Sequence, residues 1–276
     1  GIPVYKFPEN AAKAFGALYK YSRWLNRQIL AHFTFSHDSD RAARIIETCI
    51  KEGQLHLGEL EGLDLLACYG FQVLPTRLAE SPEEAAEISD QIGYPVVMKI
   101  VSPQILHKSD AGGVKIGLAT AEQVKAAHVA ITQNAAAYDP KAQIRGVLVQ
   151  KMAPRGEEVI LGMSRYPIFG PLIMFGTGGI FVEVFQDVIF RLAPIQRNSA
   201  RTMIRGIKGY RLLEGFRGRP KVDLAVLEKL LVSFSDLVCR HPEIQEIDVN
   251  PLLVHAEGQG ATVADCRILL RGKAED

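Results

Sequence analysis

Two periodicities divide the chain. Over residues 9–31 the apolar positions Ala12, Phe15, Leu18, Tyr19, Leu25 and Ile29 return at intervals that share one broad helical face. Gly1 to Pro8 reads as a strand end leading into that helix, and so abrupt a start reads as a fragment of something longer. His32 to Ser39 is a polar linker, after which Asp38 or Ser39 caps a second helix reaching about Lys51. A third helix runs from Gly58 to Tyr69 and stops at Gly70. From Phe71 the elements shorten and β-like runs appear. FQVLP reads as a strand. Ser81, Pro82 and Glu84 then mark a helix start as N-cap, first-turn proline and capping-box acid, and that helix ends near Gly93. Strands Val96–Val101 and Val114–Leu118, a helix over 121–138 and a strand Ile144–Met152 complete a β-α-β-β-α-β unit, which predicts helices on one face of an antiparallel or mixed sheet.

Beyond Met152 strands dominate, at Glu158–Met163, Leu172–Phe175, Phe181–Val184 and Val188–Leu192. Two helices, Ser199–Ile207 and Leu224–Arg240 (capped by Asp223), interrupt them before Ile244–Val249, Leu252–His255 and Thr262–Leu269, with a hairpin turn at Glu257-Gly258-Gln259-Gly260. There is no internal repeat. The boundary between two lobes falls near Lys151–Gly156. The predicted class is α+β.

Composition narrows the options without choosing among them. At 276 residues the chain can bury a sizeable core, and 47% hydrophobic with 23% charged residues is ordinary for a globular protein. Lys plus Arg is 32 against 31 for Asp plus Glu, so charge offers no reason to expect nucleic acid or an anionic membrane as partner. No apolar run is long enough to span a bilayer, and the first residues lack a signal-peptide pattern. Cys49, Cys68, Cys239 and Cys266 are scattered without a CxxC pair, which argues against a disulfide frame or a thiolate metal site. A cytoplasmic protein is the simplest reading.

The chemistry concentrates between Pro95 and Gly117, PVVMKIVSPQILHKSDAGGVKIG. Lys99 shares a strand face with Val97 and Val101. A lysine among apolar neighbours is costly without an anion, and phosphate is one; a snorkelling lysine at a strand end is the plainer alternative. Gly112-Gly113 would let backbone N–H groups approach phosphate oxygens. His107 reads as a phosphoryl acceptor or as a solvated loop histidine, and spacing alone favours the second. Neither GxxxxGK[ST] nor a strand-following GxGxxG occurs. The bend at Gln150, Lys151 and Met152 can hold a purine through backbone groups while Glu157 or Glu158 takes ribose hydroxyls; two solvent-facing acids are the alternative. Phe175–Gly179 is a glycine turn that approaches a phosphate or simply turns the chain. Glu183, Asp187 and Arg191 recur at intervals of four and face either a charged site or the surface. Glu246, Asp248 and Asn250 share one strand face, and Asp265 returns beside them across the hairpin, an oxygen set that suits Mg²⁺; a plain polar strand face is the alternative. The basic run around GFRGRPK, with Arg211, Arg217, Arg219 and Lys221, meets a phosphate of a cofactor or carrier or is a solvated loop, and the second is favoured.

Taken together, PVVMK, HKSDAGGV, QKMAPRGEEVILG, FGPLIMFGTGGIFVEV, EIDVNPLLV and ADCRI resemble, in order, the ATP-grasp part of ADP-forming acyl-CoA synthetases, relatives of succinyl-CoA synthetase. The resemblance runs from about Leu55 to Leu270, and residues 1–31 look like the tail of a preceding CoA-ligase segment. It implies an ATP-grasp fold of two α+β lobes preceded by an N-terminal helical linker: a segment over 1–54, one lobe over 55–150 and another over 151–276. It implies the reaction acyl-CoA + ADP + phosphate ⇌ acid + CoA + ATP. ATP/ADP and Mg²⁺ would be cofactors here, and CoA would come through CoA-binding and CoA-ligase domains in cis or as a separate subunit, in a possible oligomer. His107 takes the role of the relay histidine on a swinging loop, steadied by Asp248. Lys99, Lys108, Gly112 and Gly113 are assigned to phosphates, Gln150, Lys151, Met152 and Glu158 to base and ribose, and Asn250 and Asp265 to the metal. Glu158 fits the ribose role better than Glu157. Two other functions compete: a non-catalytic nucleotide- or CoA-sensing regulatory domain of a fused protein acetyltransferase, and an ATP-grasp carboxylate ligase working through an acyl phosphate without phosphohistidine.

Overall fold

The computed structural model describes residues 3–26, 30–105, 107–178 and 186–272. Residues 1–32 and 33–276 form separate compact units. In the first, α1 (Pro8–Leu25) begins with proline in its first turn and keeps Phe15, Leu18, Tyr19 and Leu25 exposed. It is shorter than the predicted 9–31, and Ile29 lies outside the described residues.

The second unit holds two sheets. The smaller, in the order β2-β5-β3-β4, is antiparallel throughout: β2 (Thr76–Ala79), β3 (Val96–Val101), β4 (Val114–Leu118) and β5 (Gly146–Lys151). Helices α4 (Pro82–Ile92) and α5 (Ala121–Tyr138) cover one face of it. The strand period decides which side chains they cover: Val96, Met98 and Ile100 point into that core with Ile88, Val124 and Ile131. The alternate residues Val97 and Lys99 therefore face the other way. Ser81 Oγ accepts from the Glu84 amide as an N-cap should, but the Glu84 carboxylate accepts from the Glu80 amide rather than closing the box on Ser81.

The larger sheet has seven strands, ordered β1-β10-β9-β6-β7-β8 with β11 also on β9. These are β1 (Gln72–Val73), β6 (Glu157–Tyr166), β7 (Gly170–Thr177), β8 (Val188–Leu192), β9 (Ile244–Val254), β10 (Ala261–Val263) and β11 (Cys266–Leu270). Its core takes side chains from α2 (Ser39–Lys51), α3 (Glu59–Cys68), α6 (Arg197–Gly206), the short α7 (Tyr210–Leu213) and α8 (Leu224–Arg240). Strand β9 is the spine. Antiparallel to β6 along one side, it pairs on the other with β11 through its first half and β10 through its second.

Three expectations need correction. FQVLP is not a strand of the small sheet: β1 is two residues long and pairs parallel with β10, while TRLA, unread in the sequence, supplies the small-sheet strand. Ile46, Leu63, Leu65, Leu66 and Phe71 all pack in the large core, so α2 and α3 join that lobe rather than a linker and a first lobe. The predicted strands Ile244–Val249 and Leu252–His255 are one continuous strand. The predicted strand Phe181–Val184 lies outside the described residues. Among the described residues no helix is long and apolar enough to cross a membrane.

One buried acid ties α6 to α8. Glu228 accepts from Arg197 Nε (3.0 Å) and from Arg201 Nε (2.6 Å) and Nη2 (3.2 Å), leaving its side chain 8% exposed. Burial alone would push the Glu228 carboxyl up, but Arg201 and Arg197 hold it below the usual glutamate range. A depressed folded pKa contributes stability that is present above the unfolded value and lost as pH falls through the folded one. Glu228→Gln is expected to cost about 2 kcal/mol at neutral pH by urea unfolding, with the difference from wild type shrinking in acid as the wild-type carboxylate also takes up its proton.

Candidate functional site

The outward face of β3 and the end of the large sheet meet in a small set of charges. Lys99 Nζ donates to Glu59 Oε1 at 2.6 Å and to the carbonyl of Ala264 at 2.8 Å, and lies 4.0 Å from Asp265 Oδ2. Lys108 Nζ binds Glu59 Oε2 and lies 4.0 Å from Asp265 Oδ1. Each carboxylate thus faces both ammonium groups. Glu59 comes from the first turn of α3, Asp265 from the break between β10 and β11, Lys99 from β3 and Lys108 from the loop after it. Lys99 and Glu59 side chains are only 9% and 4% exposed, which removes most of the water that would screen them.

The two acids are not equivalent. Burial opposes charge on Glu59, but Lys99 and Lys108 overcome it and hold the carboxyl below its ordinary range. Burial pushes the Asp265 carboxyl up; Lys99 pulls it back, and the negative charge of Glu59 pushes further. Asp265 therefore carries the less satisfied charge. Lys108, disfavoured as a cation by burial, is raised on balance by Asp265 and Glu59. The neighbouring Cys266 thiol is pushed up by burial and then by Asp265 and Glu59.

Asp265 and Asn250 sit together because β9 and the β10–β11 break are stitched by the Asn250 N–H to Asp265 carbonyl bond at 3.1 Å. Among the described residues no three His, Cys, Asp or Glu side chains form a metal cluster. The Asp265 carboxylate, whose Oδ1 accepts from the Cys266 amide at 2.9 Å, beside the exposed Asn250 amide is nevertheless an oxygen donor set that fits Mg²⁺, which completes its shell with water and phosphate oxygens. Asp248 lies two residues back on β9, opposite Arg267 of β11. Burial pushes its carboxyl up, Arg267 opposes this, and Glu246 and Asp265 reinforce it.

The loop after β3 is a turn bonded to itself. The Ala111, Gly112 and Gly113 amides donate to the carbonyls of His107 (3.3 Å), Ser109 (3.0 Å) and Lys108 (2.8 Å). His107, Ser109 and Asp110 are exposed, whereas Ile105 and Ala111 anchor the turn in the small-lobe core. Both glycines are required by this turn. Gly112 has a left-handed φ of 61°, and a Cβ on Gly113 would lie 2.5 Å from Ile100 Cγ2 and 3.0 Å from the Lys108 carbonyl. Their N–H groups, expected to face phosphate, are used inside the turn.

At the crossing between the sheets, Gln150 is buried and bonds Thr76 Oγ1 at 3.1 Å. Lys151 Nζ is held by the carbonyls of Gly93 and Tyr94, each at 2.8 Å. The Lys151 and Met152 amides donate to the Pro75 and Pro95 carbonyls, both at 3.0 Å. Glu157 is paired with Arg219 at 2.8 Å, while Glu158 is exposed. Asp187 is buried and accepts from the Lys208 and Gly209 amides (2.6 and 2.7 Å), a structural role; Arg191 bonds the neighbouring Phe190 carbonyl, and Glu183 and Gly179 lie outside the described residues.

Of the residues singled out in the sequence, Lys99, Lys108 and Asp265 converge, with Asn250 adjoining and His107 next along the loop. Glu59, which joins the two lysines, was missed. Its position in a first helical turn reads as an ordinary acid at the positive end of the helix dipole. The available signal was its face: Glu59, Gly62, Leu63 and Leu66 fall on one stripe, and all four are buried. An acid on a core stripe calls for a cation.

Over residues 48–270 the chain matches the model of a family described as an ATP-grasp domain. It is 43% identical over 271 residues to acetate–CoA ligase (ADP-forming) I of Archaeoglobus fulgidus, covering 98% of this chain and 39% of that protein. It is 47% identical over 230 residues to the beta subunit of acetate–CoA ligase (ADP-forming) I of Pyrococcus furiosus, covering 83% of this chain and 98% of the subunit. The chain spans about two fifths of the length of the Archaeoglobus relative. Among solved structures, it is similar to the dinucleotide-forming acetyl-coenzyme A synthetase 1 of Ca. Korarchaeum cryptofilum in complex with coenzyme A, Ca-AMPCP and HgCl⁺. The TM-score is 0.80 at 43% identity, over 83% of this chain and 100% of that one. With coenzyme A and Mg-AMPPCP, that synthetase has its phosphohistidine segment pointing towards the nucleotide binding site (TM-score 0.73, 41% identity, 83% and 100% coverage).

The tight seat of Gly113 makes a direct prediction. Gly113→Ala should lower stability by on the order of 1–3 kcal/mol in urea unfolding and speed hydrogen exchange across residues 107–113, because either Ile100 or the Lys108 carbonyl must move.

Proposed function

The chain belongs to the ATP-grasp family and is homologous to ADP-forming acetate– and acyl–CoA ligases, and on that premise we propose that it is the nucleotide-binding part of such a ligase, passing a phosphoryl group between His107 and Mg·ADP. The observation that carries this reading is the convergence of Lys99, Lys108 and Asp265 at the junction of the sheets, with His107 one residue from Lys108. Phosphoryl transfer needs alignment and charge neutralisation more than covalent help from the protein. Lys99, fixed on a strand, supplies a point charge for nucleotide phosphates; Lys108 carries a second on the loop. Mg²⁺, held by Asp265 and Asn250, would neutralise further phosphate charge when bound.

In the transfer step the N–P bond to His107 breaks and a P–O bond forms at the terminal phosphate oxygen of ADP. The released imidazole nitrogen takes a proton from solvent. Asp248, set back on β9, would steady the phosphorylated histidine through a hydrogen bond. The exposed position of His107 on a short turn suits a group that must travel; in the Korarchaeum synthetase a phosphohistidine segment points towards the nucleotide binding site. Glu158, exposed where Glu157 is already paired, is the acid assigned to ribose, and the Gln150–Met152 crossing is assigned to the base. With the Lys151 and Met152 amides engaged, base recognition there falls to carbonyl groups and Met152 itself.

The full reaction, acyl-CoA + ADP + phosphate ⇌ acid + CoA + ATP, would need CoA-binding and CoA-ligase parts supplied in cis or by another subunit. The Pyrococcus beta subunit, matched over almost its whole length, is a precedent for the second arrangement.

Calorimetry tests the reading directly. The chain should bind Mg·ADP without partner domains, and Lys99→Ala should weaken binding about tenfold or more; no heat of binding by wild type would overturn it. With the CoA-ligase part restored, His107→Ala should abolish phosphoryl transfer while leaving Mg·ADP affinity within about twofold, on the order of 0.4 kcal/mol.

A further inference from the structure

Glu59 belongs to none of the roles assigned above, yet it makes the tightest contacts in the site. Its carboxylate is nearly sealed from solvent and divides its oxygens between Lys99 of β3 and Lys108 of the His107 turn. The Ala111, Gly112 and Gly113 amides are bonded within the turn and travel with it, while the Gly113 carbonyl at its base accepts from the Ile100 N–H of β3 at 2.8 Å and holds only that end. Among the described residues, two side-chain bonds tie the rest of the turn, residues 107–112, to its surroundings: Lys108 to Glu59, and Asn134 Nδ2 to the Gly112 carbonyl at 3.1 Å. The first is charge-assisted and largely buried, while the second is neutral and exposed, so the Glu59 contact is the stronger hold.

Building on the relay reading, we propose that Glu59 is a positioning residue that docks the His107 loop at rest by binding Lys108, and that it must release this lysine for His107 to travel. Two features let the release occur without stranding a charge. Lys99 stays on Glu59, so the buried carboxylate keeps one cation when Lys108 leaves. Asp265 faces both ammonium groups at 4.0 Å, a second anion towards which Lys108 can lean as the loop begins to move. Lys99 Nζ has three N–H donors and gives one to Glu59 and one to the Ala264 carbonyl, so an anionic phosphate can meet the third without taking the lysine from Glu59.

The test reads the loop rather than catalysis. Trypsin cleaves after lysine only when the side chain can enter the protease, and a Lys108 held by Glu59 cannot. In the ligand-free chain, Glu59→Gln should raise cleavage at the Lys108–Ser109 bond tenfold or more, while cleavage at the exposed Lys115 keeps its wild-type rate. Glu59→Asp, which retains the charge one carbon shorter, should fall between, and Glu61→Gln in the same helix should match wild type. An unchanged rate at Lys108 overturns the proposal; so does equal acceleration at every lysine and arginine, which would mark Glu59 as a general structural residue. Where Glu59→Gln does not fold, Lys108→Met breaks the same contact from the loop side. Amides 111–113 should then exchange with solvent faster while those of β5 do not, and unchanged exchange is equally fatal. None of these measurements uses nucleotide, so loss of Mg·ADP binding would sink the relay reading without altering them, and an undocked result would leave the calorimetry intact.

Discussion

Two lysines cannot be buried side by side without anions between them. That constraint organises the junction of this molecule. Lys99 is forced inward by the pleat: with Val96, Met98 and Ile100 committed to the helices, the alternate residue points to the other face. Lys108 is brought there by the turn that follows. Only Glu59, from a helix of the larger lobe, and Asp265, from the edge of its sheet, make the arrangement affordable. The small sheet is consequently attached to the large one by ionic contacts as well as by chain crossings. The same contacts place positive charge where a family of phosphoryl-transferring domains would need it.

Much of this was legible in the residues. Short alternating runs identified β3, β4 and β5, and the Asp223 cap marked the start of α8 at Leu224. Lys99 could be singled out because a lysine in an apolar strand is an anomaly with few physical remedies. What the residues could not reveal was partnership across long separations. β1 is two residues long and gains meaning only beside β10, so FQVLP carried no sign of which sheet it served. Glu59 and Lys99 are brought together by tertiary structure alone, and nothing local to either names the other. The glycine pair showed a different limit: its presence was informative, but the turn uses it for its own closure, and periodicity does not distinguish a backbone freed for a ligand from one folded upon itself.

The two acids at the junction illustrate how position divides labour between like groups. Glu59 touches both cations directly and is held ionised. Asp265 stands off at 4.0 Å and is held towards its proton. A divalent cation would be drawn to the less satisfied of the two.

The order of the strands also bears on how the protein is made. The small lobe runs from Thr76 to Lys151, and its four strands pair only with one another. The large lobe is split around it: Gln72 pairs with Thr262, and Leu63 and Leu66 of α3 share a core with Ile247 and Val249 of the spine β9. Contacts that close long loops form late. During synthesis the small lobe can therefore fold as soon as its last strand emerges, and it then acts as a compact spacer that brings the two halves of the large lobe within reach. The flanks of the insertion, at Val73–Thr76 and Lys151–Glu157, are the staples of that assembly, and they are the same crossings that bound the site.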